Sequence, residues 1–170
     1  MIDLFEDVKS ALNQISEDKI QYLKKLIMQT KGKIVILGNG GSNAISAHMA
    51  EDYTKALKKP SLAFTDGAML TCYANDYGYD KAFAQYLSEF SDRESLVILI
   101  SSSGNSQNIL ACAKYCSENN IDFVILTGFA ESNKLKSLYN DIALLEFWVD
   151  STKYGVIESV HELILHSVIE

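Results

Sequence analysis

Apolar positions recur at helical spacing through the first thirty residues: Leu4, Val8, Leu12 and Ile15, then Ile20, Leu23 and Ile27. A stripe of that period predicts an N-terminal helical segment over residues 1–30, built from one or two amphipathic helices. The pattern then changes. Short apolar runs rich in Val and Ile lie within Lys33–Leu37, Leu96–Ile100 and Phe123–Leu126, each followed by small polar residues and a segment of helical period. Strands buried on both faces of a parallel sheet read this way, because neither face needs a polar residue. Leu62–Phe64 and Ile142–Val149 are weaker strand candidates. Helices are expected near residues 42–58, 67–74, 80–90, 106–118 and 133–139, and from 155 onward.

Alternation of strand and helix at these lengths predicts an α/β fold of three layers, a doubly wound five-stranded parallel sheet of flavodoxin-like order 2-1-3-4-5. In that order a ligand binds outside the carboxyl ends of strands 1 and 3, where the direction of winding reverses. Small-residue loops fall at both places: Gly38-Asn39-Gly40-Gly41-Ser42 and Ser101-Ser102-Ser103-Gly104-Asn105-Ser106. The second combines four hydroxyls with a helix start, which makes an anion site that needs no Lys or Arg. The first departs from the dinucleotide fingerprint G-x-G-x-x-G, since Asn43 occupies the third glycine position, and this counts against a dehydrogenase.

Composition narrows the partners. Fifteen Lys and Arg against 22 Asp and Glu leave a net charge of −7, which disfavours nucleic acid and requires any phosphate to be held locally. The 170 residues contain one proline, Pro60, and no Ser/Gly-rich linker, so a single domain over 1–170 is expected. Three cysteines make no disulfide framework, Met1–Glu17 is not a leader of the secretory kind, and no apolar run approaches the roughly 20 residues of a membrane span. A cytoplasmic protein without membrane contact is the expectation.

Only three histidines occur. His48 and Asp52 share a helix face four residues apart, with Glu51 as a competitor; Glu158, Glu162 and His166 follow one another along a second stripe, and His161 lies off it. Imidazoles beside carboxylates suit a divalent metal or acid–base chemistry.

Together, G-N-G-G-S at 38–42, H-x-x-x-D at 48–52, Asn75-Asp76-Tyr77-Gly78, S-x-S-G-N-S at 101–106, Thr127-Gly128 and E-x-x-H-x-x-x-x-H at 158–166 resemble the phosphoheptose isomerases of the sugar isomerase (SIS) fold. The resemblance runs from about residue 30 to the end. It implies aldose–ketose isomerisation of sedoheptulose 7-phosphate to D-glycero-D-manno-heptose 7-phosphate through an enediol, for the heptose of bacterial lipopolysaccharide or capsule. Carried over, it assigns the phosphate to Ser42, Ser101, Ser102, Ser103 and Ser106, and the sugar to Asn39 and Asp76, with Gly40 and Gly41 completing the substrate site. In metal-containing members the positions of His48, Asp52, Glu158 and His166 bind zinc, so the resemblance admits a Zn2+ ion here. Members are usually homotetramers with sites between subunits. That arrangement would also steady His166, four residues from Glu170.

Departures from the family pattern concern the chemistry. The family glutamate is Asp52 here, one methylene or about 1.5 Å shorter, and the family glutamine is Glu158. An aspartate shortly before it becomes Gly155, and Phe129-Ala130-Glu131 replace a glycine pair. We therefore expect Asp52, Glu158 and His166 to carry catalysis, with Glu158 compensating for the short Asp52 either as a metal ligand or as the proton-abstracting base. The other reading is a non-catalytic SIS-domain protein that binds a phosphosugar or a protein, similar to the initiator-associating proteins of replication. Those proteins generally lack the paired histidines seen here as His161 and His166.

Overall fold

The computed structural model describes residues 3–170, so the first two residues of the expected helical segment lie outside the described residues. In chain order the elements are α1 (Leu4–Leu12), α2 (Glu17–Gln29), β1 (Ile34–Leu37), α3 (Gly41–Lys55), β2 (Ser61–Ala63), α4 (Gly67–Tyr77), α5 (Tyr79–Phe90), β3 (Leu96–Ser101), α6 (Gln107–Asn119), β4 (Asp122–Thr127), α7 (Lys134–Tyr139), β5 (Leu145–Trp148) and α8 (Tyr154–His166). The sheet is parallel throughout, in the expected order β2-β1-β3-β4-β5.

Side chains alternate across a strand, and the unbroken apolar runs feed two cores in turn. Ile34 and Ile36, Leu96, Ile98 and Ile100, and Val124 and Leu126 pack with α1, α2, α3 and α8 on one face. Val35 and Leu37, Val97 and Leu99, and Phe123 and Ile125 pack with α5 and α6 on the other. At the edge, β5 buries Leu145 and Phe147 while Glu146 and Trp148 are half-buried, so it is shorter than the expected 142–149 segment. Ile142 and Ala143 instead close a turn on the Tyr139 carbonyl. The helix expected over 67–74 runs on to Tyr77 and ends at Gly78, whose φ of 82° is open to glycine but strained for other residues.

Two features position the site. Helices α3 and α6 start directly after the carboxyl ends of β1 and β3, so their N-termini meet at the switch in winding. Helix α8 lies beside α3 and runs the same way: Glu158 reaches Gly41 at their starts, and His166 reaches Asp52 further along. The fully buried Tyr53 hydroxyl donates to the Leu165 carbonyl at 2.9 Å and fixes this pairing.

Candidate active site

A cavity of about 280 Å³ opens at the switch point, lined by Asn39, Gly40, Gly41, Ser42, Ile100, Ser101, Ser102, Ser103, Ser106, Tyr154 and Glu158. Both expected loops contribute, and every serine assigned to the phosphate lines it. None of these lining residues is Lys or Arg. Their anion-binding capacity comes from elsewhere: α3 and α6 carry no acidic residue in their first turns and no side-chain cap, which leaves N–H groups and the positive ends of two helix dipoles facing the cavity. The Ser102 hydroxyl is buried and makes no hydrogen bond within the chain, so its donor and acceptor capacity is unused there. Ser101 Oγ donates to Ser106 Oγ at a long 3.3 Å, and both keep further capacity.

The loop geometry depends on glycine. Gly104 has a φ of 62° and donates its N–H to the Ser101 carbonyl at 2.9 Å, closing the turn. A Cβ there would overlap the Asn133 side chain at 1.9 Å. Gly41 serves a different purpose. A Cβ on it would stand 2.5 Å from the Glu158 carboxyl carbon and both its oxygens, so the missing side chain is the space that Glu158 fills. The Glu158 carboxylate thus rests at the start of α3, the favourable end of that helix dipole.

The remaining predicted residues form a second cluster. His48 Nε2 lies 3.1 Å from Asp52 Oδ2, and the same oxygen is 3.9 Å from His166 Nδ1. The two imidazole rings meet edge to face with centroids 5.1 Å apart. Glu162 Oε1 approaches His166 Nε2 at 3.9 Å, and donor atoms of His48, Glu162 and His166 all lie within 4.8 Å of one another. Two imidazole nitrogens and a carboxylate are the donor set of catalytic zinc sites, so the residues present suit such an ion.

His161 is not part of this cluster. It is fully buried, with Nε2 3.0 Å from the Thr127 carbonyl, and burial pushes its pKa down to about 4. The carbonyl can only accept, so Nε2 carries the proton and the ring is neutral at pH 7. Asp76 also stands apart: on α4 it accepts from Asn75 at 2.9 Å, and it does not line the cavity of its own chain.

Some neighbours were not singled out by the sequence pattern. Tyr154 lines the cavity one helical turn before Glu158, a spacing that was legible. Glu162, named on the α8 stripe from the sequence but given no role there, stands one turn before His166 and joins the two histidines. Asn108 and Tyr79 bond to Asn39 from α6 and α5 and carry no local signal.

The chain matches the family model described as "SIS domain" over residues 3–128. It is 35% identical over 170 residues to the phosphoheptose isomerase of Helicobacter pylori strain P12, covering 95% of this chain and 85% of that one. It is 32% identical over 147 residues to the phosphoheptose isomerase of Fusobacterium nucleatum, covering 83% and 73%. Among solved structures, phosphoheptose isomerase GmhA from Neisseria gonorrhoeae superposes with a TM-score of 0.87 at 28% identity, covering 95% of this chain and 90% of that one. A phosphoheptose isomerase from Francisella tularensis gives 0.84 at 25% identity, covering 95% and 88%.

Proposed function

The chain belongs to the SIS domain family and, within it, to the phosphoheptose isomerases, and from that membership we propose that it interconverts sedoheptulose 7-phosphate and D-glycero-D-manno-heptose 7-phosphate. It is a phosphosugar isomerase. The named relatives support the seven-carbon substrate, and the pathway we assign is heptose supply for a bacterial lipopolysaccharide or capsule. We read residues 1–170 as one SIS domain working in the cytoplasm as a homotetramer, with sites between subunits; Asp76 would then meet sugar in a neighbour's cavity. No described helix is long and apolar enough to cross a membrane.

The observation that carries this reading is the cavity itself, which pairs an anion cradle with a single carboxylate. The phosphate takes the hydroxyls of Ser42, Ser101, Ser102, Ser103 and Ser106 and the free N–H groups of the α6 start. Asn39, Gly40 and Gly41 meet the sugar. Glu158 removes the proton from the carbon next to the carbonyl and returns it to the neighbouring carbon. A positioned base of this kind contributes about 10²- to 10⁴-fold. His166, steered by Asp52, moves the second proton between the two enediol oxygens. In the alternative role, with Glu158 as a ligand instead of the base, a zinc ion held at the family's positions, His48, Asp52, Glu158 and His166, would supply a Lewis acid for the substrate oxygens.

Incubation with sedoheptulose 7-phosphate in deuterated water tests the reading directly. Deuterium is expected at the carbon next to the carbonyl, seen by NMR. An absence of exchange across five- to seven-carbon ketose phosphates, with and without added zinc, would overturn it in favour of a binding protein.

A further inference from the structure

We propose that Tyr154 is a specificity-determining residue of this cavity: its ring is the wall on which the carbon chain of a sugar phosphate lies, so that affinity grows with the length of that chain. The inference deepens the isomerase reading and rests on it for what the serine loops hold.

Those loops account for the phosphate and leave the rest of the ligand with few partners. Asn39 offers an amide and Glu158 a carboxylate, and the larger apolar side chains lining the cavity are Ile100 and Tyr154. Ile100 is fully buried in the core of the sheet, whereas Tyr154 is 59% exposed. Of the described residues lining the cavity, Tyr154 is thus the one that presents a broad apolar surface to a ligand. An aromatic face carries partial negative charge as well, so it suits the polarised C–H bonds of a polyol chain, which serine hydroxyls cannot use.

Its place on the helix puts the ring beside the chemistry. Tyr154 opens α8 and stands four residues before Glu158, on the same helical face and about 6 Å along the axis. One ligand can therefore meet both the ring and the carboxylate.

The ring is backed by a second aromatic residue. Phe129 meets it edge to face, with centroids 4.8 Å apart and 65° between the planes. Phe129 holds a left-handed φ of 51°, strained for a residue with a side chain. Both of its backbone polar groups are engaged: the N–H donates to the Ser151 carbonyl at 3.0 Å, and the carbonyl accepts from Trp148 Nε1 at 3.3 Å. One residue earlier, a Cβ on Gly128 would come within 2.6 Å of the Ile157 side chain, so the loop after β4 lies directly on α8. Strain of this kind persists only where surrounding contacts over-determine it, and here they hold the Phe129 ring against Tyr154.

The test measures binding by calorimetry with ligands that have no carbonyl and cannot be isomerised: inorganic phosphate, and polyol phosphates of three, five and seven carbons. In wild type the affinity should rise along that series. Tyr154→Ala is expected to weaken the seven-carbon ligand by about 5- to 20-fold and to leave inorganic phosphate within about twofold, which flattens the series. Tyr154→Phe keeps the ring and should stay within about threefold of wild type for every ligand. The proposal is overturned if wild type shows no rise with chain length, if Tyr154→Ala binds the seven-carbon ligand as wild type does or loses inorganic phosphate equally, or if Tyr154→Phe loses as much as Tyr154→Ala. A failure of the isomerase reading appears separately, as a missing deuterium exchange in wild type, and leaves the binding series as it stands.

Discussion

Asn39 and Asn108 are joined amide to amide: Asn39 Nδ2 donates to Asn108 Oδ1 at 2.9 Å, and Asn108 Nδ2 donates to Asn39 Oδ1 at 2.8 Å. The orientation is not free. The Ile109 N–H donates to Asn108 Oδ1 at 3.0 Å, which fixes that amide and through it Asn39. The Tyr79 hydroxyl must then be a donor to Asn39 Oδ1, at 2.7 Å. With both acceptor sites of Asn39 Oδ1 filled, one N–H remains for the cavity, so Asn39 presents a donor to a sugar oxygen.

Tyr79→Phe tests that chain of bonds. The ring keeps its edge-to-face contact with Phe83, and only the hydroxyl is lost. A neutral hydrogen bond is worth about 0.5–1.5 kcal/mol, so KM for the sugar phosphate should rise roughly 2- to 10-fold with kcat changed less. An unchanged KM would show that Asn39 needs no such hold.

Glu158→Gln and Asp52→Asn separate the two candidate bases. Removing the carboxylate that lines the cavity should slow deuterium exchange by about 10²- to 10⁴-fold. Asp52→Asn, which leaves the carboxylate of the cavity in place and changes the group beside His48 and His166, should cost distinctly less. Full exchange by Glu158→Gln would mean that proton abstraction lies elsewhere.

Much of this site was legible because it depends on short-range pattern. The alternating core of β1, β3 and β4 appears as unbroken Val/Ile runs, and the glycine and serine loops mark the carboxyl ends of β1 and β3. The i, i+4 spacing showed that His48 belongs with Asp52. It could not rank Glu158 against Glu162, because both lie on one stripe of α8 and the choice depends on how α8 is placed against α3. That placement comes from Tyr53 and Leu165, which are 112 residues apart. The Asn39–Asn108–Tyr79 network was hidden for the same reason: its members come from three separate segments and meet only after the sheet is wound.

Buried His161 makes acid stability a measurable property. Its pKa in the fold is about 4, against 6.5 for an unperturbed histidine, so between those values the unfolded chain binds a proton that the folded chain does not. Its contribution is fully present above pH 6.5 and is lost as pH falls toward 4, to an extent of about 3 kcal/mol. In His161→Gln, which cannot titrate, the decline of Tm over that window should be visibly shallower than in wild type. Equal slopes would mean that the imidazole is not kept neutral in the fold.

Gly41→Ala should separate stability from activity. Gly41 has no positive φ, and alanine in the first turn of α3 restricts the unfolded chain, which typically adds about 0.4–1 kcal/mol. The new Cβ, however, would stand 2.5 Å from the Glu158 carboxylate. That carboxylate is the far end of a flexible side chain, so it moves aside while the helix stays in place. The expected result is a Tm unchanged or raised by about 2–4 °C, together with isomerase turnover reduced by at least about tenfold. A joint fall in Tm and turnover would indicate damage to the α3 start. Full turnover at an unchanged Tm would mean that the position of Glu158 over Gly41 is not the one used in the reaction.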